Sequence, residues 1–136
     1  MLQGSMKMNN TYNSASCPCE SGRVYKSCCS ELHSGRVLAQ TALQLMRSRY
    51  SAFALGNAEY LVKSWHPDTR PASLIIDETQ HWIGLKIKTV SHGGAKEDEG
   101  SVEFVARYKV QGKAHRLQEN SRFRRLDGQW YYFDGK

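Results

Sequence analysis

Ser101-Val102-Glu103-Phe104-Val105-Ala106-Arg107-Tyr108-Lys109-Val110 reads with a period of two. Val102, Phe104, Ala106, Tyr108 and Val110 set one face against Glu103, Arg107 and Lys109, the pattern of a strand buried on one side. Working outward, Trp82 to Val90 repeats it, with Ile83, Leu85, Ile87 and Thr89 against Lys86 and Lys88. His115 to Leu126 carries Leu117, Phe123 and Leu126 among polar neighbours, and Gln129 to Phe133 is short and aromatic. Gly93-Gly94, Gln111-Gly112 and Asp127-Gly128 separate these segments and supply turn chemistry. The spacing predicts an antiparallel meander of about four strands.

Upstream the period changes. Leu38, Ala42, Leu45, Met46 and Arg49 recur at intervals of three and four, and Tyr50, Phe53 and Ala54 continue the stripe. Gly56-Asn57 is a helix stop. A shorter helix, about Ala58 to Ser64, brings Leu61, Val62 and Trp65 onto an apolar side before Pro67 ends it. Helices first and strands second define an α+β chain, with helices packed on one face of a curved antiparallel sheet.

The 136 residues, 40% of them hydrophobic and 24% charged, suit one soluble domain with a small appendage. A net charge of +6 leaves room for an acidic partner without requiring one. No run approaches the roughly 18 apolar residues of a membrane span. Met1 to Asn13 lacks the apolar segment of a secretory signal, and Met1-Leu2-Gln3-Gly4-Ser5-Met6 reads as a vector-derived tag ahead of a start at Met6 or Met8. A cytoplasmic, reducing location is therefore expected. Three regions follow: a disordered polar tail over 1–16, a cysteine motif over 17–33, and the α+β domain over 36–136.

Every cysteine falls in Cys17-Pro18-Cys19-Glu20-Ser21-Gly22-Arg23-Val24-Tyr25-Lys26-Ser27-Cys28-Cys29. Zinc takes four soft ligands at tetrahedral corners. In an extended Cys-x-Cys both thiols point the same way, so Cys17 and Cys19 grip one ion, and Cys28 and Cys29 close the site. Four thiolates on Zn²⁺ leave a net charge near −2, which Arg23 and Lys26 can offset. The expected cofactor is thus one structural Zn²⁺. Two disulfides in so short a loop would be strained, and neither pair has the Cys-x-x-Cys spacing of redox dithiols. His33, four residues past Cys29, is an alternative ligand for one thiolate's place.

These residues resemble the SEC-C motif, named for the zinc-binding tail of the SecA preprotein translocase: Cys-x-Cys, Ser-Gly, an aromatic (here Tyr25), and a closing Cys-Cys. Glu20 stands where the motif usually carries Gly, a strained residue if that position needs φ > 0. Arg47-Ser48-Arg49-Tyr50-Ser51-Ala52-Phe53, Trp65-His66-Pro67, Val102 to Tyr108, Glu119-Asn120-Ser121-Arg122-Phe123 and Gly128-Gln129-Trp130-Tyr131-Tyr132 resemble the YchJ-like family of bacterial proteins. That resemblance implies a SEC-C motif joined to a cystatin-like, nuclear-transport-factor-2-like cone.

Such cones often enclose a pocket, although fold alone assigns no activity. The candidate pocket residues are Trp65, His66, Glu103, Arg107, Glu119 and Ser121. His115, Glu119 and Ser121 share a strand face with Phe123, and Glu103 and Arg107 share another. Against a site role, Glu119 reads as a cross-strand ion pair with Arg107 or Arg122, and His66-Pro67 as a hydrogen-bonded turn. The Arg47 and Arg49 stems are expected to pack with their heads solvated or paired. No nucleophile–base pair stands out, so no catalytic residue is assigned. Arg116, Arg122, Arg124 and Arg125 near Trp130, Tyr131 and Tyr132 suit single-stranded nucleic acid or, equally, a solvated basic sheet face. The expected function is a zinc-binding adaptor with a protein partner, linked to translation or secretion. An enzyme acting on a small molecule in the cone is the alternative, and an RNA-binding module the second.

Overall fold

A computed structural model describes residues 14–136 of the chain. Of the tail expected over 1–16, residues 1–13 lie outside the described residues. The remainder joins the cysteine knuckle: Ser16 bridges Val24, and the Tyr25 N–H donates to the Ala15 carbonyl at 2.9 Å.

After a 3₁₀ turn at Tyr25–Ser27, three helices follow: α1 at Cys29–His33, α2 at Ala42–Leu55 and α3 at Ala58–Lys63. Sequence reasoning missed both the turn and α1, which are too short to show a period. Helix α2 starts where the Thr41 hydroxyl accepts from the Gln44 N–H at 3.1 Å. Leu38, placed by the stripe on this helix, precedes it and is 48% exposed. The stop at Gly56 has φ 74°, and the Asn57 N–H reaches back to the Ala52 carbonyl at 2.8 Å. The Asn57 side chain then caps α3 by accepting from the Tyr60 N–H at 3.0 Å.

Strands β1 (His81–His92), β2 (Glu99–Val110), β3 (Lys113–Leu126) and β4 (Gln129–Gly135) form one antiparallel sheet in chain order. Gln111-Gly112 and Asp127-Gly128 turn the chain with φ between 51° and 80° at all four residues, the two-residue hairpin geometry whose twist matches the strands. At the β1–β2 connection a Cβ on Gly100 would lie 2.6 Å from the Gly93 nitrogen, so the strands meet only because both residues are glycine. A register shift between Trp82 and Gly84 breaks the expected alternation of β1. Trp82, Leu85 and Ile87 consequently pack on the core while Ile83 is 51% exposed.

The core lies between α2, α3 and the concave face of the sheet. Trp130, Phe123, Leu61 and Val102 are its largest fully buried apolar side chains. Truncating one of them to Ala would cost about 2–5 kcal/mol. Helix α2 is buried on more than one side, because Leu45, Met46 and Tyr50 belong to that core while Ser51 meets the cysteine knuckle. Beyond α3 the chain lies along β4: the His66 N–H donates to the Tyr132 carbonyl at 2.8 Å, and the Tyr132 N–H to the Ser64 carbonyl at 2.9 Å. Among the described residues, no helix is long and apolar enough to cross a membrane.

Candidate metal centre and cone cavity

The knuckle folds on local hydrogen bonds. The Cys17 N–H donates to the Arg23 carbonyl at 2.8 Å, the Glu20 N–H to the Cys17 carbonyl at 3.1 Å, and the Cys28 N–H to the Tyr25 carbonyl at 3.0 Å. Cys17, Cys19, Cys28 and Cys29 are all free thiols and all buried. Their four Sγ atoms lie within 4.8 Å of one another, and Cys19 and Cys28 are 3.6 Å apart. A tetrahedral ion with bonds of about 2.3 Å needs sulfurs about 3.8 Å apart, so the cluster fits a metal ion and is far too open for a disulfide.

The crowding shows in the acidities. Hydrogen bonds from Cys19 and Cys29, opposed by burial and helped by Ser51, hold the Cys17 thiol far below its ordinary range. The bonds to Cys17 and Cys19, with burial, push Cys29 up. With all four thiols ionised the protein alone could not offset the charge, whereas a cation among the sulfurs could.

Groups around the sulfurs tie the knuckle to the domain. The Ser51 hydroxyl of α2 donates to Cys29 Sγ at 3.3 Å and lies 3.4 Å from Cys17 Sγ. Ser21 Oγ is 3.1 Å from Cys28 Sγ. Arg47 Nη1 donates to the Cys19 carbonyl at 2.5 Å and brings a further cation to the knuckle, whose Arg23 and Lys26 lie at exposed positions. Glu20 does take a positive φ, 61°, and its carboxylate accepts from the Leu85 N–H of β1 at 2.7 Å.

His33 is placed otherwise than as a ligand. Its Nε2 meets the Ser48 carbonyl at 2.8 Å and its Nδ1 the Tyr25 hydroxyl at 2.7 Å. A carbonyl can only accept, so Nε2 carries the proton and Nδ1 accepts from Tyr25. Neither nitrogen is free for a metal.

On the other side of α2 a cavity of about 320 Å³ opens between helices and sheet. Trp65, Glu119 and Ser121 line it, together with Arg49, Tyr132 and Gln80. Glu103 and Arg107 do not: Phe104, Ala106 and Tyr108 face the cavity, and odd-numbered neighbours on β2 must point away. Glu103 accepts from Gln118 Nε2 at 2.8 Å on that outer face, and Arg107 is exposed. His66 also lies outside the cavity, edge-on to Tyr131 and Phe133, with its Nδ1 accepting from the Asp68 N–H at 3.1 Å. His115 stacks on Tyr108.

Glu119 makes no ion pair with Arg107 or Arg122. Ser121 Oγ donates to its Oε2 at 2.6 Å and the Tyr132 hydroxyl to the same oxygen at 3.4 Å, whereas Arg122 pairs with Asp134. Arg49 Nη1 donates to the Leu61 carbonyl at 2.7 Å and Ser64 Oγ at 2.6 Å, and the guanidinium lies over the Trp65 and Tyr132 rings. Its head is neither solvated nor ion-paired. The basic strand is largely committed: Arg125 donates to the Gly94, Ala95 and Glu97 carbonyls, and Trp130 is 1% exposed and closed to base stacking.

A four-thiol SEC-C knuckle on a helix-and-meander cone defines the class: residues 14–31 match the SEC-C motif, and 41–135 match the domain described as YchJ, middle NTF2-like domain. A UPF0225 protein of Chromobacterium violaceum is 51% identical over 124 residues, which are 89% of this chain and 92% of that one. One from Streptomyces coelicolor is 46% identical over 120 residues, covering 88% and 94%. The solution structure of a SEC-C motif containing protein from Rhodopseudomonas palustris is 33% identical, covers 88% of this chain and 96% of that one, and superposes with a TM-score of 0.78. The crystal structure of a SEC-C motif containing protein from Psychrobacter arcticus is 28% identical, covers 91% and 83%, and gives 0.77. The chain belongs to the YchJ-like UPF0225 family.

Proposed function

We propose that the four sulfurs hold one structural Zn²⁺ and that the chain is a metal-clasped adaptor, a binding module whose cone holds its ligand. The observation that carries this reading is the sulfur cluster, buried and tetrahedral in dimension, with Cys17 and Cys29 both against Ser51 of α2. Four thiolates complete the coordination of zinc and leave no position for a reacting water. Filling the site fastens the knuckle to α2, and α2 forms a wall of the cone. Outward, the knuckle leaves Arg23, Val24 and Lys26 exposed, a cationic rim suited to an acidic surface on a cytoplasmic protein partner.

The test is elemental analysis of protein purified without chelator, followed by chelation. About one zinc per chain, and a lower unfolding temperature after its removal, would support the reading. Zinc-free protein with the same stability would overturn it.

A further inference from the structure

The cavity walls are mainly aromatic and apolar, with Tyr50, Phe53, Trp82, Phe104 and Phe123 among them. Two of the lining residues, Trp65 and Arg49, carry donors that the protein leaves without a partner. Trp65 Nε1 is buried and has no hydrogen-bond partner. Arg49 is 6% exposed, and only its Nη1 is spoken for. No carboxylate of the described residues lies within ion-pairing distance of it. Burial lowers Arg49 to about 10, so it remains a cation at neutral pH. A buried indole N–H without an acceptor is costly unless something supplies one, and Arg49 keeps donors beyond Nη1 for the same acceptor. The two groups are neighbours, with the guanidinium carbon 5.2 Å from the Trp65 ring centre.

We propose that the cone binds a small, flat, mostly apolar monocarboxylate, its carboxylate on Arg49 and the Trp65 indole N–H and its ring among the aromatic side chains. About 320 Å³ falls at the small end of ligand pockets, which suits a one- or two-ring molecule. Glu119 sets a further preference. Its Oε2 is taken by Ser121 and Tyr132, while its Oε1 makes no protein hydrogen bond. A hydroxyl or amino group on the ligand's far side would donate there, and a second carboxylate would be repelled. The ligand thus meets a cation and a carboxylate in the same cavity.

This inference rests on the binding-module reading, and the experiment separates the two. Zinc-loaded wild-type protein is titrated with 2-naphthoate, 6-hydroxy-2-naphthoate and the neutral 2-naphthamide, followed by Trp fluorescence and calorimetry. One-to-one binding of naphthoate is expected, with the amide weaker by about tenfold or more, the size of one charge-assisted hydrogen bond. The hydroxyl compound should bind more tightly than naphthoate. Trp65→Phe, which keeps the ring and loses the N–H, should weaken naphthoate severalfold and leave the amide less affected. Arg49→Met should abolish the acid–amide difference; if that variant does not fold, Trp65→Phe and the wild-type comparison still decide. Equal affinity for acid and amide, or no binding at millimolar concentration, overturns the proposal. With one zinc still bound, either result leaves the metal reading standing. Zinc-free protein that binds naphthoate would do the reverse.

Discussion

Ser51 Oγ donates to Cys29 Sγ across 22 residues of chain, at 3.3 Å. It comes from the middle of α2, whose core side chains Met46 and Tyr50 also line the cone cavity. That hydroxyl, together with Arg47 Nη1 on the Cys19 carbonyl, joins the sulfur cluster to the helix that lines the cavity. Partners of this kind fix the orientation of ligating sulfurs.

Ser51→Ala should fold, since it replaces a buried hydroxyl with a methyl in the same space. Without the donor, zinc affinity should fall by about tenfold to a hundredfold. Competition against a chromophoric chelator measures this, and unchanged affinity would mean the hydroxyl does not tune the site.

Glu20 holds the knuckle to β1 through the Leu85 N–H but sits at φ 61°. Glu20→Ala keeps the backbone strain and loses the bond. Glu20→Gly loses the bond and relieves strain worth about 1 kcal/mol. In urea unfolding of the zinc-loaded protein, both should be less stable than wild type, with Ala the worse. Equal stabilities for the two would mean that the left-handed turn costs nothing.

Burial holds the His33 ring below its ordinary value of 6.5, despite the favourable bond to the Ser48 carbonyl. The folded state thus prefers the neutral ring, and the unfolded state binds more protons below that value. The stability it contributes is complete above about pH 6.5 and is lost as pH falls towards the folded value. Acid also competes for the thiolates, but equally in His33→Gln. The wild type should therefore lose more stability than that variant between about pH 7 and about pH 5.5. Parallel pH profiles would remove His33 from the account.

Much of this architecture was legible because glycine and alternation mark it locally. Gln111-Gly112, Asp127-Gly128 and Gly56 each require positive φ, and they stand where the predicted elements end. The phase of β1 was not legible, since nothing in Trp82-Ile83-Gly84 announces a register shift except the glycine itself. Ser48 and Ser51, which the helix stripe left out, form a second buried face, visible only once the knuckle is packed against it. Arg49 carried the right spacing for the core, but its type suggested a solvated or paired head. Glu119 was on the correct face with the wrong partner, because alternation fixes a side and not a neighbour. For the cysteines, spacing alone brought Cys17, Cys19, Cys28 and Cys29 together, whereas His33 was turned away by Tyr25 and Ser48.

Sulfur-only coordination is tested most directly by X-ray absorption on protein isolated without chelators. The account predicts a zinc edge with four sulfur scatterers at about 2.3 Å and no nitrogen or oxygen shell. A light-atom ligand in the first shell, or an absent zinc edge with the cysteines oxidised to disulfides, would contradict it.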